Sequence, residues 1–376
     1  MSTEDTADDQ DGAVVHGDIL ESILSHVHLI DLASSSCVSR GWERAVSSSL
    51  SHFNSPKPWL LLHFLSSAST AAYDPRSAVW MDINCRHPIT PSTAPLRSSH
   101  STLLYALTPS QFSFSIDPLH LTWHHVSPPL TWRTDPIVAL VANRPIVVAG
   151  TCGFVDEPPA VEIYDLESNT WDTCEDLPSI FAEYATAVWY SVAVDDHKLH
   201  IMHKSSAAIF SFDPLKKSWT GPYEVKPDPD LFSSILGFAG GGMVVVGLVG
   251  SPEDVKSVKI YGVTAEFSEW GEIGEMPKSL VEKLQGESAE MASIGMSWAG
   301  DFLFIHHGSD PVEMIQCEVV GGGCWWGIVP NTVVDDRIRL RGLVFTSSNV
   351  GIEELKKALR SERPRISIKI KDRGRD

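Results

Sequence analysis

The chain has 376 residues, 43% of them hydrophobic, with 29 Lys and Arg against 48 Asp and Glu, a formal net charge of −19. That length can bury cores without disulfide or metal staples, and so acidic a surface repels phosphate backbones and gives no basic stripe for nucleic acid. The longest apolar run, residues 59–65, falls far short of the ~20 residues that span a bilayer, so no membrane anchor is expected. The six cysteines make no CxxC pair and the N-terminus is acidic where a signal peptide would be basic, so a reducing compartment, cytoplasm or nucleus, is expected.

Residues 1–13 are acidic with almost nothing to bury and read as a disordered leader. From 14 to 55 the pattern is helical: Ile19, Leu20, Ile23, Leu24 and Val27 recur at helical spacing. Asp18 and Glu21 have capping-box spacing, Asp31 can cap a second helix, and Gly41 and Trp42 open a third. Three short helices bury too little to stand alone, which predicts an apolar face that waits for a partner.

After Pro56 the texture becomes β-rich and repeats. "YDPRSAVW" (73–80), "IDPLHLTW" (116–123), "YDLESNTW" (164–171) and "FDPLKKSW" (212–219) share a bulky apolar residue, Asp, usually Pro, and a closing Trp. "YGVTAEFSEW" (261–270) is a looser copy, and "IQCEVVGGGCWW" (315–326) a trace. The Asp side chain can accept hydrogen bonds from the turn amides that follow, Pro presets φ, and Trp opens the next strand, so each copy predicts a tight hairpin. Apolar strands precede each hairpin, which gives antiparallel four-stranded sheets stacked radially, with the Trp side chains between neighbours. Six copies imply six blades over 57–346. The first copy has only "WLLLHF" before its hairpin, so "RIRLRGLVF" (337–345) is expected to close the ring by completing that blade. Residues 347–376 hold a short amphipathic helix, "IEELKKALR", and a basic tail packed on the ring.

No constellation points to chemistry. His124-His125 and His306-His307 are adjacent on strands, so each pair points to opposite faces and cannot chelate one ion locally. "GFAGGGMVVVG" (237–247) is glycine-rich, but strands follow it where a phosphate loop needs a helix, and it reads as a tight turn. No cofactor and no metal is expected.

"DILESILSHVHLIDLASSSCVSRGW" resembles an F-box: Ile23-Leu24 in the first helix, Leu29 to Leu32 at the second, and the Val38-x-Arg40-x-Trp42 run at the third. The family usually has Leu-Pro where this chain has Val15-His16, so one apolar contact and a rigid proline are missing. Residues 57–346 resemble degenerate kelch repeats, with Ala149-Gly150 and Gly250 as remnants of the glycine doublets. The whole is similar to plant F-box/kelch-repeat proteins: mainly β, a small N-terminal α-helical F-box followed by a six-bladed kelch-type β-propeller.

The resemblance implies a non-catalytic substrate receptor of an SCF ubiquitin ligase. The F-box residues Val15, Ile19, Leu20, Ile23, Leu24, Leu29, Leu32, Val38 and Trp42 would bind a Skp1-like adaptor and through it a cullin-RING ligase. The propeller would hold a protein substrate, with plant enzymes of phenylpropanoid or flavonoid synthesis among the candidates. Leu20, Leu24, Leu32 and Val38 are expected to be partly exposed. The alternatives are a kelch-fold enzyme and a scaffold protein. In kelch propellers the turns joining strands two and three lie with the inter-blade connections at one end. Here those segments carry Asp156, Glu157, Glu175, Asp176, Asp228, Asp230, Glu253, Asp254, Asp335 and Asp336, an acidic rim suited to a substrate that presents Lys or Arg.

Overall fold

The computed structural model describes residues 17–52, 55–64, 69–85, 95–142, 144–148, 160–174, 178–183, 187–285, 294–307, 314–330, 343–359 and 366–370. Three helices open it: α1 (Gly17–Leu24), α2 (Leu29–Ser35) and α3 (Arg40–His52). Ser39 caps α3, its Oγ accepting the Trp42 N–H at 3.3 Å. Asp18 and Asp31 are not caps. Each lies inside the first helical turn, where a carboxylate still complements the N-terminal end of the helix dipole.

Six sheets follow. Blade 1 takes β1 (Trp59–Phe64), β2 (Ser69–Asp74) and β3 (Val79–Cys85), and blade 2 takes β4 (Leu104–Thr108), β5 (Gln111–Ser115) and β6 (His124–Val126). Blade 3 holds β7 (Ile137–Val141), β8 (Arg144–Val148), β9 (Val161–Asp165) and β10 (Thr170–Cys174). A short α4 (Ile180–Glu183) leads to blade 4, with β11 (Tyr190–Val194), β12 (Leu199–His203), β13 (Ala208–Asp213) and β14 (Ser218–Glu224). Blade 5 has β15 (Leu231–Ala239), β16 (Gly242–Ser251), β17 (Asp254–Val263) and β18 (Trp270–Glu275). After α5 (Lys278–Gln285), blade 6 has β19 (Ile294–Ala299), β20 (Phe302–His307), β21 (Met314–Val320) and β22 (Gly323–Val329). The chain ends with β23 (Leu343–Ser348), α6 (Ile352–Leu359) and β24 (Ile366–Ile370).

The ring closes as the missing first strand requires: β23 pairs antiparallel with β1, Leu61 opposite Thr346, and becomes the inner strand of blade 1. The expected closing segment began at 337; the described strand starts at Leu343. Across this seam Leu60, Leu62, Tyr73 and Trp80 of blade 1 share a core with Phe302, Phe304 and Met314 of blade 6. The basic tail adds β24 to the outer edge of blade 1, Ile368 opposite Ile83, so a pairing edge is covered.

The repeat is a turn chemistry. In blade 1 the Asp74 carboxylate accepts the Arg76 N–H at 3.0 Å and the Ser77 hydroxyl. In blade 3 Asp165 Oδ1 accepts the N–H groups of Glu167 and Ser168, both at 2.9 Å, and in blade 4 Asp213 Oδ1 accepts those of Leu215 and Lys216 at 3.0 and 3.1 Å. The residue four beyond each Asp, Ala78, Asn169 or Lys217, takes a left-handed φ of 51°, 57° or 52°. That reversal brings the aromatic residue before Asp opposite the Trp: Tyr73 with Trp80, Tyr164 with Trp171, Phe212 with Trp219. The Trp rings also join blades. Trp171 Nε1 donates to Ser127 O of blade 2's exit at 3.0 Å, and Trp80 Nε1 to Pro330 O of blade 6's exit.

Blades 2, 5 and 6 depart from the pattern; in blade 5 the turn has no Asp, and Thr264 Oγ1 accepts the Glu269 N–H at 3.2 Å. Blade 6 turns through Gly321 and Gly322, both at positive φ, with Val320 opposite Gly323. A two-residue hairpin needs no Asp, which is why its copy reads only as a trace. Gly240 and Gly241 make the same turn between β15 and β16, as the glycine-rich run predicts. In blade 2 the expected tight hairpin is a wider loop, because Leu119 and Leu121 leave the sheet to pack toward α6. Among the described residues blade 2 also has no regular inner strand. A single bridge, Arg97 to Tyr105, stands in its place. The segment after it runs to the axis of the ring, where the Ser347 N–H bonds Ser101 O at 2.9 Å and the Trp298 N–H bonds Ser101 Oγ at 2.7 Å.

Candidate functional site

Strand polarity divides the ring into two ends. Strands alternate in direction, so turns between strands three and four, the Asp turns, lie at one end; turns between strands two and three and all inter-blade connections lie at the other. The three N-terminal helices sit at the Asp-turn end. Arg76, in the blade 1 turn, donates from Nη1 to Val27 O at 2.7 Å and from Nη2 to Ser25 O at 2.9 Å, satisfying carbonyls where α1 ends.

The helices do not stand apart from the ring. Leu24, Leu29, Leu32, Ala33, Ala45 and Val46 share one core with Trp59, Leu61, Met81 and Ile83 of blade 1 and with Val350 and Leu355 around α6. This corrects the expected exposure of Leu24 and Leu32, and it places Leu29 inside as well: all three are buried within the chain. Leu20 is half-buried against the same core. The α6 helix supplies both mortar and charge, for Lys356 reaches Glu353 at 2.8 Å and Glu43 of α3 at 3.5 Å. What faces outward is a second apolar stripe. Ile19 and Ile23 are each 55% exposed, one turn apart on α1; Val38, two residues before α3, is 65% exposed, and Trp42, in the first turn of α3, is 37% exposed. The two helices lie against each other, and these four are the large apolar side chains that the described helical unit leaves open to water. Val15 lies outside the described residues.

At the opposite end, Asp228 and Asp230 on the connection into blade 5 meet Glu253 and Asp254 at its turn between strands two and three. The Gly250 N–H donates to Asp230 O at 3.0 Å and ties the two segments together. The acids are partly or fully exposed. Asp156, Glu157, Glu175, Asp176, Asp335 and Asp336 lie outside the described residues.

Between the blades a cavity of about 680 Å³ occupies the axis, lined from all six, among them by Arg97, Tyr190, Lys204, Leu236, Trp298 and Phe345. Arg97 is paired with Asp135. Lys204 donates to Val188 O at 2.9 Å, and burial lowers its pKa. Tyr105 donates to Pro136 O at 2.9 Å, and burial pushes its hydroxyl up to about 12. The wall is mixed: Ser98, Ser99, Ser101, Ser191 and Ser297 lie among its apolar side chains, and Arg97 and Lys204 are held by partners.

His124, His125 and His306 make packing and hydrogen-bond contacts within the sheets. His124 stacks on Phe114 with centroids 5.1 Å apart while His125 turns the other way to Ser113 Oγ at 2.9 Å. His306 stacks on Phe345 at 3.6 Å. Ser211, His200 and Asp195 are linked by hydrogen bonds of 2.8 and 2.9 Å in the order of a hydrolase triad. Ser211 and His200 are directly paired within blade 4 and buried, and the axial cavity does not reach that serine. Among the described residues no group of three or more His, Cys, Asp or Glu can hold a metal ion. No described helix is long and apolar enough to cross a membrane.

Burial lowers the pKa of His100, His120 and His306 from 6.5 to about 4. Between those values the unfolded chain binds protons that the fold excludes, so stability is complete above the unfolded value and is lost on acidification toward the folded one. Unfolding free energy is expected to fall by on the order of 5 kcal/mol from about pH 7 to about pH 4.5. Urea titrations across that range check it.

Comparison with known proteins bears on the helical unit first: an F-box domain matches residues 17–54. An F-box/kelch-repeat protein of Arabidopsis thaliana is 36% identical over 366 residues, 92% of this chain and 93% of that protein. The chain belongs to the F-box/kelch-repeat proteins. Kelch repeat and BTB domain-containing protein 8 of Danio rerio is 26% identical over 178 residues, and its human counterpart 25% over 177. Each match covers 43% of this chain and 28% of the relative. The F-box/kelch architecture thus joins a helical unit with an open apolar face to a six-bladed ring whose loop-bearing end points away from it.

Sequence reasoning missed Arg76 and Lys356, which anchor the F-box, and Leu130, Trp132, Val188 and Trp189, exposed apolar residues on the loop-bearing end. A signal existed for two of these. "SPPLTWRTDP" (127–136) sets Leu and Trp between prolines in a connection where polar residues are the rule.

Proposed function

We propose that this protein is the substrate receptor of an SCF-type ubiquitin ligase, non-catalytic itself. A Skp1-like adaptor, and through it a cullin-RING ligase, binds the stripe of Ile19, Ile23, Val38 and Trp42, and a protein substrate binds the loop-bearing end. The carrying observation is the split of the F-box into two apolar faces, one buried on its own ring and one open. An exposed stripe of this kind is a partner site in a stable protein. The core shared by F-box, blade 1 and α6 would make the receptor a rigid bracket that holds cargo at a set distance from the ligase. Action in cytoplasm or nucleus, on a plant enzyme of phenylpropanoid or flavonoid synthesis, is the finer reading, and it rests on the family resemblance.

The test is binding of a purified Skp1-type adaptor to the full chain. Val38→Asp and Trp42→Ala are each expected to weaken it at least about tenfold, since desolvated apolar anchors carry interface energy. Adaptor affinity unchanged in both variants would remove the receptor reading.

A further inference from the structure

The connection between blades 2 and 3 is built as a rigid finger. Pro128 and Pro129 preset its entry. The Glu162 carboxylate, at the start of β9, accepts the N–H groups of Leu130 and Thr131, the second at 3.0 Å, and the Arg133 guanidinium at 2.7 Å. Arg133 also donates to Ala160 O at 2.6 Å. Both side chains of this ion pair have no exposed surface. The ends are pinned too: Ser127 O accepts from Trp171, and Pro136 O accepts from Tyr105. Among the described residues nothing covers the tip, where Leu130 is 72% and Trp132 41% exposed.

A buried ion pair is a poor way to gain stability, because desolvation consumes most of the attraction; its best-attested use is to fix one conformation. Here the fixed conformation holds a leucine and a tryptophan in water. Pre-ordered aromatic and aliphatic anchors give binding free energy with little further entropy loss. In the ring, blade 2 stands opposite blade 5, so the finger and the four acids Asp228, Asp230, Glu253 and Asp254 lie on the same end, on opposite sides of the axis.

We propose that this finger is the apolar anchor of the substrate site, and that it grips a partner protein that presents a bulky apolar side chain to the finger and Lys or Arg to the acids on the far side of the ring. The basic residue answers those acids across the axis. The proposal rests on the receptor reading, and names the chemistry of its cargo.

The probe is a displayed library of short random peptides, selected on the full-length protein. Enrichment of peptides that pair an apolar residue with Lys or Arg is expected. Their affinity should fall at least about tenfold for the double variant Leu130→Ala, Trp132→Ala, while adaptor binding and the unfolding temperature stay unchanged because both side chains are exposed. A second variant, Asp230→Lys with Glu253→Lys, should weaken the same peptides. Peptides that bind the Ala variant as well as the parent, enrichment of acidic peptides, or no enrichment would each overturn the finger. Loss of adaptor binding by the parent chain would instead overturn the receptor reading, so the two failures are distinguishable.

Discussion

Leu32→Ala is expected to lower the unfolding free energy of the full chain by about 2–5 kcal/mol, the range for a fully buried leucine truncated to a cavity, whereas Val38→Ala changes it by less than about 0.5 kcal/mol. Both residues belong to the same helical unit and fall within the same domain match. They differ in what surrounds them. Leu32 lies between α3, blade 1 and α6, in contact with a core that includes Trp59 and Leu355, while Val38 faces water. Adaptor affinity should respond the other way, falling for Val38 and Trp42 substitutions and holding for Leu32 wherever the variant remains folded. Chemical denaturation and adaptor titration on the same samples check both halves. An early, separate unfolding of the helices, with Leu32→Ala leaving the main transition untouched, would show that the F-box is not part of the ring's cooperative unit. For the same reason Leu24→Asp is a poor probe of adaptor binding: its side chain is buried against the ring, and the charge would unfold the dock before it tested the interface.

The two faces of the F-box explain what the amino-acid order could and could not convey. Ile19 and Leu20, then Ile23 and Leu24, are successive apolar pairs one helical turn apart, so α1 is apolar over a stripe too wide for a single neighbour. Periodicity identifies that stripe, but it cannot say which half meets the chain's own ring and which half a foreign helix. The blades were legible for the opposite reason. An Asp turn is closed by atoms within a few residues of one another, as Asp165 with Glu167 and Ser168 shows, and such chemistry leaves its mark at fixed spacing. Where the stabilising partner is distant, the mark is lost. Alternation along residues 365–371 is visible, yet only the fold reveals that it pairs with Met81 to Cys85. The inner strand of blade 2 left no pattern because its place is taken by an irregular segment held through Ser99 and Ser101 to the strands of other blades. Of the acids expected on the substrate end, those on blade 5 are brought together by the polarity rule that selected them. The finger escaped because its organising carboxylate, Glu162, is about thirty residues from the loop it holds.

Glu162→Ala is expected to cost about 3–5 kcal/mol of stability, the penalty for leaving a buried charge without its partner. Arg133 would then stand unpaired in the interior, and the N–H groups of Leu130 and Thr131 would lose their acceptor. Arg133→Met should cost less: the carboxylate keeps its two backbone donors, and Met fills much of the vacated volume. The double variant Arg133→Met, Glu162→Leu removes both charges and should recover part of the loss. It should not recover all of it, since two buried N–H groups still lack a partner at about 1–3 kcal/mol each. The order of the three, read from urea denaturation midpoints, separates two roles for Glu162. If the ion pair alone mattered, the double variant would match the parent; if the carboxylate is the organiser of the loop, it stays below, and the Leu130 and Trp132 tips lose their fixed pose. Peptide affinity should then drop in the double variant although neither tip residue has changed, which ties the buried charge to recognition at the surface through nothing but the backbone between them.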